Sequence, residues 1–459
     1  MQSKLYDLVV LGCGPAGEKA ALAGKKLGKS VALIEPQFVG GLCAHTGTVP
    51  TKSFREAVVQ LTNFRERFME FGVLDRPKMA DLKLRVEWVR GKKVEAIGKR
   101  LFRRGVDILP GWGRFHTTNE IGVYNDDDKL LQVVEARNVI ITTGTVPYLR
   151  PDVDFDQKRI FYTDNVLAIP EVPQTLTVVG GGIIGTELAS IFTVIGTQVT
   201  LIDRRETFMP FLNKSIHSKL LDHFAERRMK FIFEDEVKSA AVNAEGLVET
   251  RLVSGDSVSS EMALFCEFRT VATEKLNLTE VGVNVNQRGV IEVDNEYRTS
   301  VECIFAAGDV VGSPALASTS FEQGRIAGNI ACGNQVGWSP ANFPVGIYTI
   351  PEVSYIGATE QELKQNDISY VKGTSLYRES ARGAILGTLD GMAEMLVAPE
   401  SGKVLGVHII GDQASELVHV AQAVMLLGGT YEYFIESVFN YPTLAEMLKY
   451  AAISARDLM

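Results

Sequence analysis

Two stretches of this chain are copies of one another. Residues 8–35 (LVVLGCGPAGEKAALAGKKLGKSVALIE) and 176–203 (LTVVGGGIIGTELASIFTVIGTQVTLID) align without a gap at a constant offset of 168. Each reads as an apolar strand, Gly-x-Gly-x-x-Gly, an amphipathic helix, a second strand and a terminal acid 23 residues after the first glycine. An acid about 20 residues on is what a dinucleotide-binding βαβ unit uses. In such a unit the first glycine (Gly12, Gly180) makes the tight turn, and the second (Gly14, Gly182) lets pyrophosphate approach the backbone. The third (Gly17, Gly185) lets helix and strand pack closely. Free N–H groups and the dipole at the helix start then stabilise the phosphates, while Glu35 and Asp203 accept from ribose hydroxyls. One Gly-x-Gly-x-x-Gly is a weak signal, but two complete units in register predict an α/β chain with two Rossmann-like dinucleotide-binding domains.

A length of 459 residues leaves room for a third domain, at about 150 residues each. The balance of 46% apolar and 22% charged residues is that of a soluble globular protein. A net charge of −9 argues against nucleic acid or an anionic membrane as partner. No run of 18 apolar residues is present, and the N-terminal MQSKLYDLVVLGCG reads as a buried strand rather than a leader. The five cysteines (Cys13, Cys43, Cys266, Cys303, Cys332) are scattered, without CxxC or zinc-like spacing. That fits a reducing, cytoplasmic compartment better than a disulfide framework and gives no reason to expect a metal.

Two dinucleotide sites imply two cofactors, and one is usually a flavin. RNVIITTGTVP (137–147) is an apolar strand ending in Thr-Gly, and VECIFAAGDVVGSPALAS (301–318) is a strand ending in Gly-Asp before a helix start. With the N-terminal fingerprint, these resemble the three flavin-contacting segments of the flavoprotein disulfide reductases, the class I pyridine nucleotide-disulfide oxidoreductases. The resemblance implies an FAD domain over 1–150 and 271–335, an NAD(P) domain over 151–270 inserted in it, and an α+β interface domain over 336–459 that forms a homodimer or larger homo-oligomer. By the same resemblance Glu35 binds the adenosine ribose, Asp309 the ribityl chain, and Gly144 and Ala317 belong to flavin-facing turns. Arg269 is retained from a Gly-Arg-x-x-Asn segment in which Phe268 replaces the glycine and Ala272 the asparagine, a change expected to alter the nicotinamide pose or its affinity. Residues 54–104, rich in alternating charge, read as two long surface helices.

The loop GGLCAHTGTVPTK (40–52) departs from that family's pattern. The family has Cys-x4-Cys here, and its second sulfur passes electrons from the flavin. This chain has Cys43 and then Thr48. A hydroxyl holds its proton far too tightly to act as that thiolate, so disulfide reduction by this route is excluded. A second loss agrees: the family's His-Pro-Thr-x-x-Glu from the partner subunit appears as YPTLAE (441–446), with Tyr441 in place of the histidine and Glu446 kept. The resemblance assigns Gly40, Gly41 and Cys43 to flavin contact. It sets Lys52 beside the flavin, where a cation stabilises the reduced ring, with Glu187 as its ion-pair partner. His45 is a packing residue or a catalyst.

One cysteine followed by His45, then GIYTIPEVS (346–354) and FNYPTLAE (439–446), resembles the dithiol-lacking branch of the family that exchanges hydride between NADPH and NAD⁺ in ping-pong fashion. A site serving both coenzymes must accept ribose with and without a 2′-phosphate. LIDRRE (201–206) offers Asp203 for the hydroxyl, with Arg204 and Arg205 for the phosphate. Two other readings stay open: an NAD(P)H-dependent reductase of quinones, dyes or oxygen, and a non-enzymatic flavin redox sensor or assembly scaffold. Phe268 is the feature that favours them.

Overall fold

The computed structural model describes residues 4–37, 39–67, 77–336 and 343–459. Each copy of the repeat builds the centre of its own parallel sheet. In the first, Lys4–Leu11 lies between Val31–Glu35 and the long strand Leu130–Ile141, with Leu8 opposite both Val31 and Asn138. Asp107–Pro110 extends one edge in parallel, and the hairpin Trp112–Phe115 and Glu120–Tyr124 extends the other antiparallel. Much later in the chain, Ile304–Ala306 returns to pair in parallel with Leu130–Ile141. The second sheet is wholly parallel, in the order Lys230–Phe233, Gln198–Asp203, Thr175–Val179, Met262–Phe265, Ile160–Tyr162. In both, the strand order reverses beside the first strand of the repeat, and such a crevice at the carboxyl ends of strands is where α/β folds bind ligands. The α/β class with two Rossmann-like units is therefore what the chain folds into.

The helices follow from the same patterning. α1 (Pro15–Lys26) starts with proline at its first position and ends in Lys25 and Lys26, both favourable to the helix dipole. A five-residue helix, α2 (Gly41–His45), leads into α3 (Thr48–Arg67) and α4 (Met79–Arg103). These two are not simply surface helices. Phe54, Val58, Met79, Leu82 and Val86 share a core with Leu188 and Phe192 of α5 (Ile183–Val194), and the Phe54 and Phe192 rings are 5.9 Å apart. The charge alternation marks only their outer faces, and part of the joint between them lies outside the described residues. α6 (Lys214–Glu226) covers the second sheet, and α7 (Ala317–Ala331) packs so tightly on α1 that a Cβ on Gly324 would stand 2.0 Å from the Ala16 carbonyl oxygen.

The C-terminal part is an antiparallel sheet in the order Val345–Ile347, Val353–Gly357, Val404–Ile410, Met392–Val397, Val371–Leu376. Helices Ala414–Leu426 and Glu446–Arg456 close its inner face through Val418, Ala421, Leu448 and Ala452. No helix among the described residues is long and apolar enough to cross a membrane.

Candidate active site

The three glycines of each fingerprint do different physical work, and both copies agree. Gly12 (φ +98°) and Gly180 (φ +102°) turn the chain in conformations that L side chains rarely adopt. A Cβ on Gly17 or Gly185 would come within 1.9 Å of the Gly12 or Gly180 carbonyl oxygen, so helix and turn touch backbone to backbone. The middle glycines have no such reason. Gly14 and Gly182 have ordinary φ of −72° and −73°, and a Cβ there would meet nothing within 4 Å. They cap α1 and α5 with no side-chain acceptor for the first N–H groups. Bare backbone, open space and unsatisfied donors at a helix start are the cradle of a pyrophosphate. Each cradle fits the pyrophosphate of a dinucleotide such as FAD or NAD(P).

The terminal acids are also equivalent, then diverge. Glu35 Oε2 accepts the Cys13 N–H at 2.7 Å, and Asp203 Oδ2 accepts the Gly181 N–H at the corresponding place. Asp203 is further gripped by Arg205, whose Nε donates to Oδ1 at 2.8 Å and Nη2 to Oδ2 at 2.7 Å. Burial pushes the Asp203 carboxyl up, but the hydrogen bonds from Arg205 and Gly181 prevail and hold it below the usual range. Arg205 is thus spent on its neighbour. Arg204 instead lies over the Phe268 ring, its guanidinium carbon 5.2 Å from the centroid.

The 40–52 loop is built against the first fingerprint. Gly40 (φ +103°) donates its N–H to the Cys13 carbonyl at 2.9 Å, and a Cβ on Gly41 would lie 2.7 Å from the Gly14 Cα. Cys43, on α2, faces Thr48 at the start of α3. Burial pushes the Cys43 thiol up, and a hydrogen bond with the Thr48 side chain offsets this only in part. At neutral pH the pair is therefore a thiol and a hydroxyl. His45 is tied to the loop itself, its Nε2 lying 3.1 Å from the Val39 carbonyl.

One turn along α3, Lys52 Nζ donates to Glu187 Oε2 of α5 at 2.6 Å. Glu187 is only 6% exposed, and its Oε1 accepts the Tyr348 N–H at 2.8 Å. Lys52 Nζ also sits 5.2 Å from the Tyr348 ring centroid. Next to this, Arg55 Nε donates to the Thr349 carbonyl at 3.0 Å and Arg55 Nη1 pairs with Glu352 at 3.1 Å. Glu187 therefore joins the cysteine loop, the second fingerprint helix and the C-terminal sheet. Sequence reading named Lys52 and Glu187 but missed Tyr348 and the Arg55–Glu352 pair. Their signal was GIYTIPEVS, which the sequence offered only as a mark of resemblance.

The remaining candidates are spread more widely, with Gly144 and Asp309 following the ends of two paired strands of the first sheet. Gly144 (φ +68°) accepts the Ala272 N–H on its carbonyl at 2.9 Å. Asp309 is largely enclosed, which raises its carboxyl above the ordinary value, and Ser320 Oγ donates to it at 3.2 Å. Ala317 opens α7. Arg269 is committed to the chain, donating to Asp164 Oδ1 at 2.6 Å and Thr145 Oγ1 at 2.9 Å. Tyr441 stands 72% exposed, far from buried Glu446 in environment although close in sequence.

The model of the pyridine nucleotide-disulphide oxidoreductases matches residues 6–324, and that of their dimerisation domain matches residues 343–452. The chain belongs to this family. Among curated members, it is 42% identical over 458 residues to a soluble pyridine nucleotide transhydrogenase of Mycobacterium bovis, covering 99% of this chain and 98% of that one. A soluble pyridine nucleotide transhydrogenase of Pseudomonas savastanoi pv. phaseolicola is 39% identical over 455 residues, covering 97% of each. Among solved family structures, LpdA of Mycobacterium tuberculosis superposes with a TM-score of 0.91 at 25% identity, over 99% of this chain and all of that one. The disulfide reductase RclA of Escherichia coli shares the fold, with a TM-score of 0.87 at 22% identity over 96% of this chain and 98% of that one. This family member thus shares the fold of these solved structures over nearly its whole length.

Proposed function

We propose that this chain is a flavin-dependent NAD(P)⁺ transhydrogenase that works without a dithiol. The observation that carries the reading is the Cys43–Thr48 pair beside an intact Lys52–Glu187 bridge: the thiol relay is gone while the junction between the two dinucleotide sites is kept. The curated relatives named as transhydrogenases, matched over nearly their full length, support it. FAD, when bound, supplies a ring that accepts a hydride from one nicotinamide and returns it to another. NADPH is thereby oxidised to NADP⁺ and NAD⁺ reduced to NADH, with no proton or sulfur chemistry left over.

The chain's own residues divide the remaining work. Gly14 and Gly182 bare the backbone to the two pyrophosphates, and Glu35 meets the flavin's adenosine ribose. Lys52 supplies fixed positive charge where negative charge develops, and Glu187 holds it in place. Asp309 meets the ribityl chain. Asp203, with both oxygens engaged by Arg205 and the Gly181 N–H, meets a ribose hydroxyl by exchanging one of the Arg205 bonds, while Arg204 answers the 2′-phosphate. His45 holds the loop by its bond to Val39. The soluble chain works in the cytoplasm as a homodimer assembled through the C-terminal sheet and helices, with exposed Leu427, Val438 and Tyr441 on that part of the surface. Steady-state exchange from NADPH to a thionicotinamide analogue of NAD⁺, compared with quinone reduction, tests the reading; a strong preference for the quinone defeats it.

A further inference from the structure

At the carboxyl ends of the second sheet, Thr175–Val179 and its glycine loop lie between Gln198–Asp203 on one side and Met262–Phe265 on the other. Arg204 follows the first of these flanking strands and Phe268 the second. Their contact at 5.2 Å therefore spans the crevice mouth. A phenyl ring that is half exposed would ordinarily be loose, but this one is braced. The Tyr148 ring meets it edge-on with centroids 6.4 Å apart, and the Tyr148 N–H donates to the Phe268 carbonyl at 3.1 Å. Both residues flank the two-stranded ribbon Thr145–Pro147 and Arg269–Val271, itself pinned by Arg269 to Asp164.

The charges sort in the same way. Asp203 and Arg205 cancel in a bidentate pair, and among the described residues Arg204 has no carboxylate partner. Arg204 thus stands at the ribose end of the crevice as a cation held over a ring and not by a carboxylate. A guanidinium fixed in this manner loses less freedom when it meets an oxyanion.

We propose that Phe268, braced by Tyr148, is a specificity-determining positioning residue that presents Arg204 to the 2′-phosphate of NADP(H). The inference rests on reading the second fingerprint as the nicotinamide dinucleotide site. It turns the residue that departs from the Gly-Arg-x-x-Asn pattern into the device by which this chain selects a phosphorylated ribose.

The test is equilibrium binding of adenosine 2′,5′-bisphosphate and adenosine 5′-phosphate to the FAD-loaded protein by calorimetry. Phe268→Leu should weaken the bisphosphate by about two- to fivefold and leave the monophosphate unchanged, while Phe268→Tyr should match the parent. Arg204→Ala should weaken the bisphosphate by about ten- to a hundredfold, and adding Phe268→Leu to it should have no further effect. Equal weakening of both nucleotides by Phe268→Leu, or an undiminished Phe268 effect without Arg204, would overturn the proposal. So would a parent that does not prefer the bisphosphate. Neither fragment carries a nicotinamide, so a protein that selects the bisphosphate yet exchanges no hydride would refute the transhydrogenase reading and leave this one standing.

Discussion

Lys52 Nζ donates to Glu187 Oε2 at 2.6 Å, across 135 residues of chain, and this bond ties the helix after the cysteine loop to the helix of the second repeat copy. Glu187 is nearly enclosed and its second oxygen is taken by the Tyr348 N–H, so the carboxylate cannot turn away from a missing partner. Lys52→Ala should destabilise the protein by about 3–5 kcal/mol by leaving that charge unpaired. It should also slow reduction of the flavin by NADPH by about a hundredfold or more, with FAD retained. Rapid-mixing absorbance and thermal unfolding read the two effects. Lys52→Ala/Glu187→Gln should recover stability without recovering rate, since the neutral side-chain amide removes the orphan charge and still accepts from the Tyr348 N–H. An unchanged reduction rate would remove Lys52 from the site.

Cys43 and Thr48 predict an optical and a chemical signature. Dithionite reduction of the FAD-loaded protein should give no long-wavelength thiolate-to-flavin band. Because burial raises the Cys43 thiol, alkylation by iodoacetamide should be slow through neutral pH and accelerate only above the ordinary thiol range of about 8.5. Thr48→Cys places a second sulfur in the position the hydroxyl now occupies beside Cys43. That variant should form a disulfide, and its reduction should bring the band in. A band in the parent protein would contradict the dithiol-loss argument.

The fingerprint glycines separate folding from binding. Gly14→Ala and Gly182→Ala add a methyl in open space at ordinary φ, so apo stability should change by less than about 1 kcal/mol. Gly14→Ala should nevertheless lose FAD, and Gly182→Ala should lose nicotinamide dinucleotide affinity. Gly185→Ala pushes a methyl into the Gly180 carbonyl and should lower thermal stability severely before any ligand is added. If all three behave alike, the middle glycines are structural.

Three histidines predict acid sensitivity. Burial lowers His217, His223 and His408, with His223 at about 4 and both its ring nitrogens buried without a hydrogen-bond partner. The unfolded chain binds these protons near pH 6.5, so their contribution to stability is present above that pH. It is lost as pH falls below that value, for His223 over the range down to about 4. For His223 alone the slope is about 1.4 kcal/mol per pH unit over that window. Urea unfolding at pH 7 and pH 5 checks it, and His223→Gln should reduce the difference between the two.

How much of this was legible follows from how local each signal is. The repeat was fully readable because a turn, a close contact and a phosphate approach each demand glycine at a fixed spacing. Cys43 and Thr48 were readable because they lie on consecutive short stretches of one loop and the helix after it. Lys52 and Glu187 were paired only through family resemblance, since nothing in either segment points to a residue 135 positions away. Tyr348 was invisible as a participant because its bond to Glu187 comes from its backbone N–H and its ring meets Lys52, far away in the chain. Arg205 was misjudged as a free phosphate ligand because a sequence shows two adjacent arginines and not that one folds back onto Asp203. Phe268 read as a defect because its value lies in Arg204 and Tyr148, both distant in the chain. The long helices read as surface because charge alternation reports only the outer face, while Phe54 and Met79 carry the inner one.

The central claim is hydride exchange between two nicotinamide dinucleotides through one flavin with no dithiol. The most direct measurement follows thionicotinamide-adenine dinucleotide reduction by NADPH at several fixed concentrations of each. Parallel double-reciprocal lines are predicted, with turnover unaffected by Cys43→Ser and abolished with loss of FAD. Intersecting lines, or no turnover while a quinone is reduced rapidly, would contradict the account.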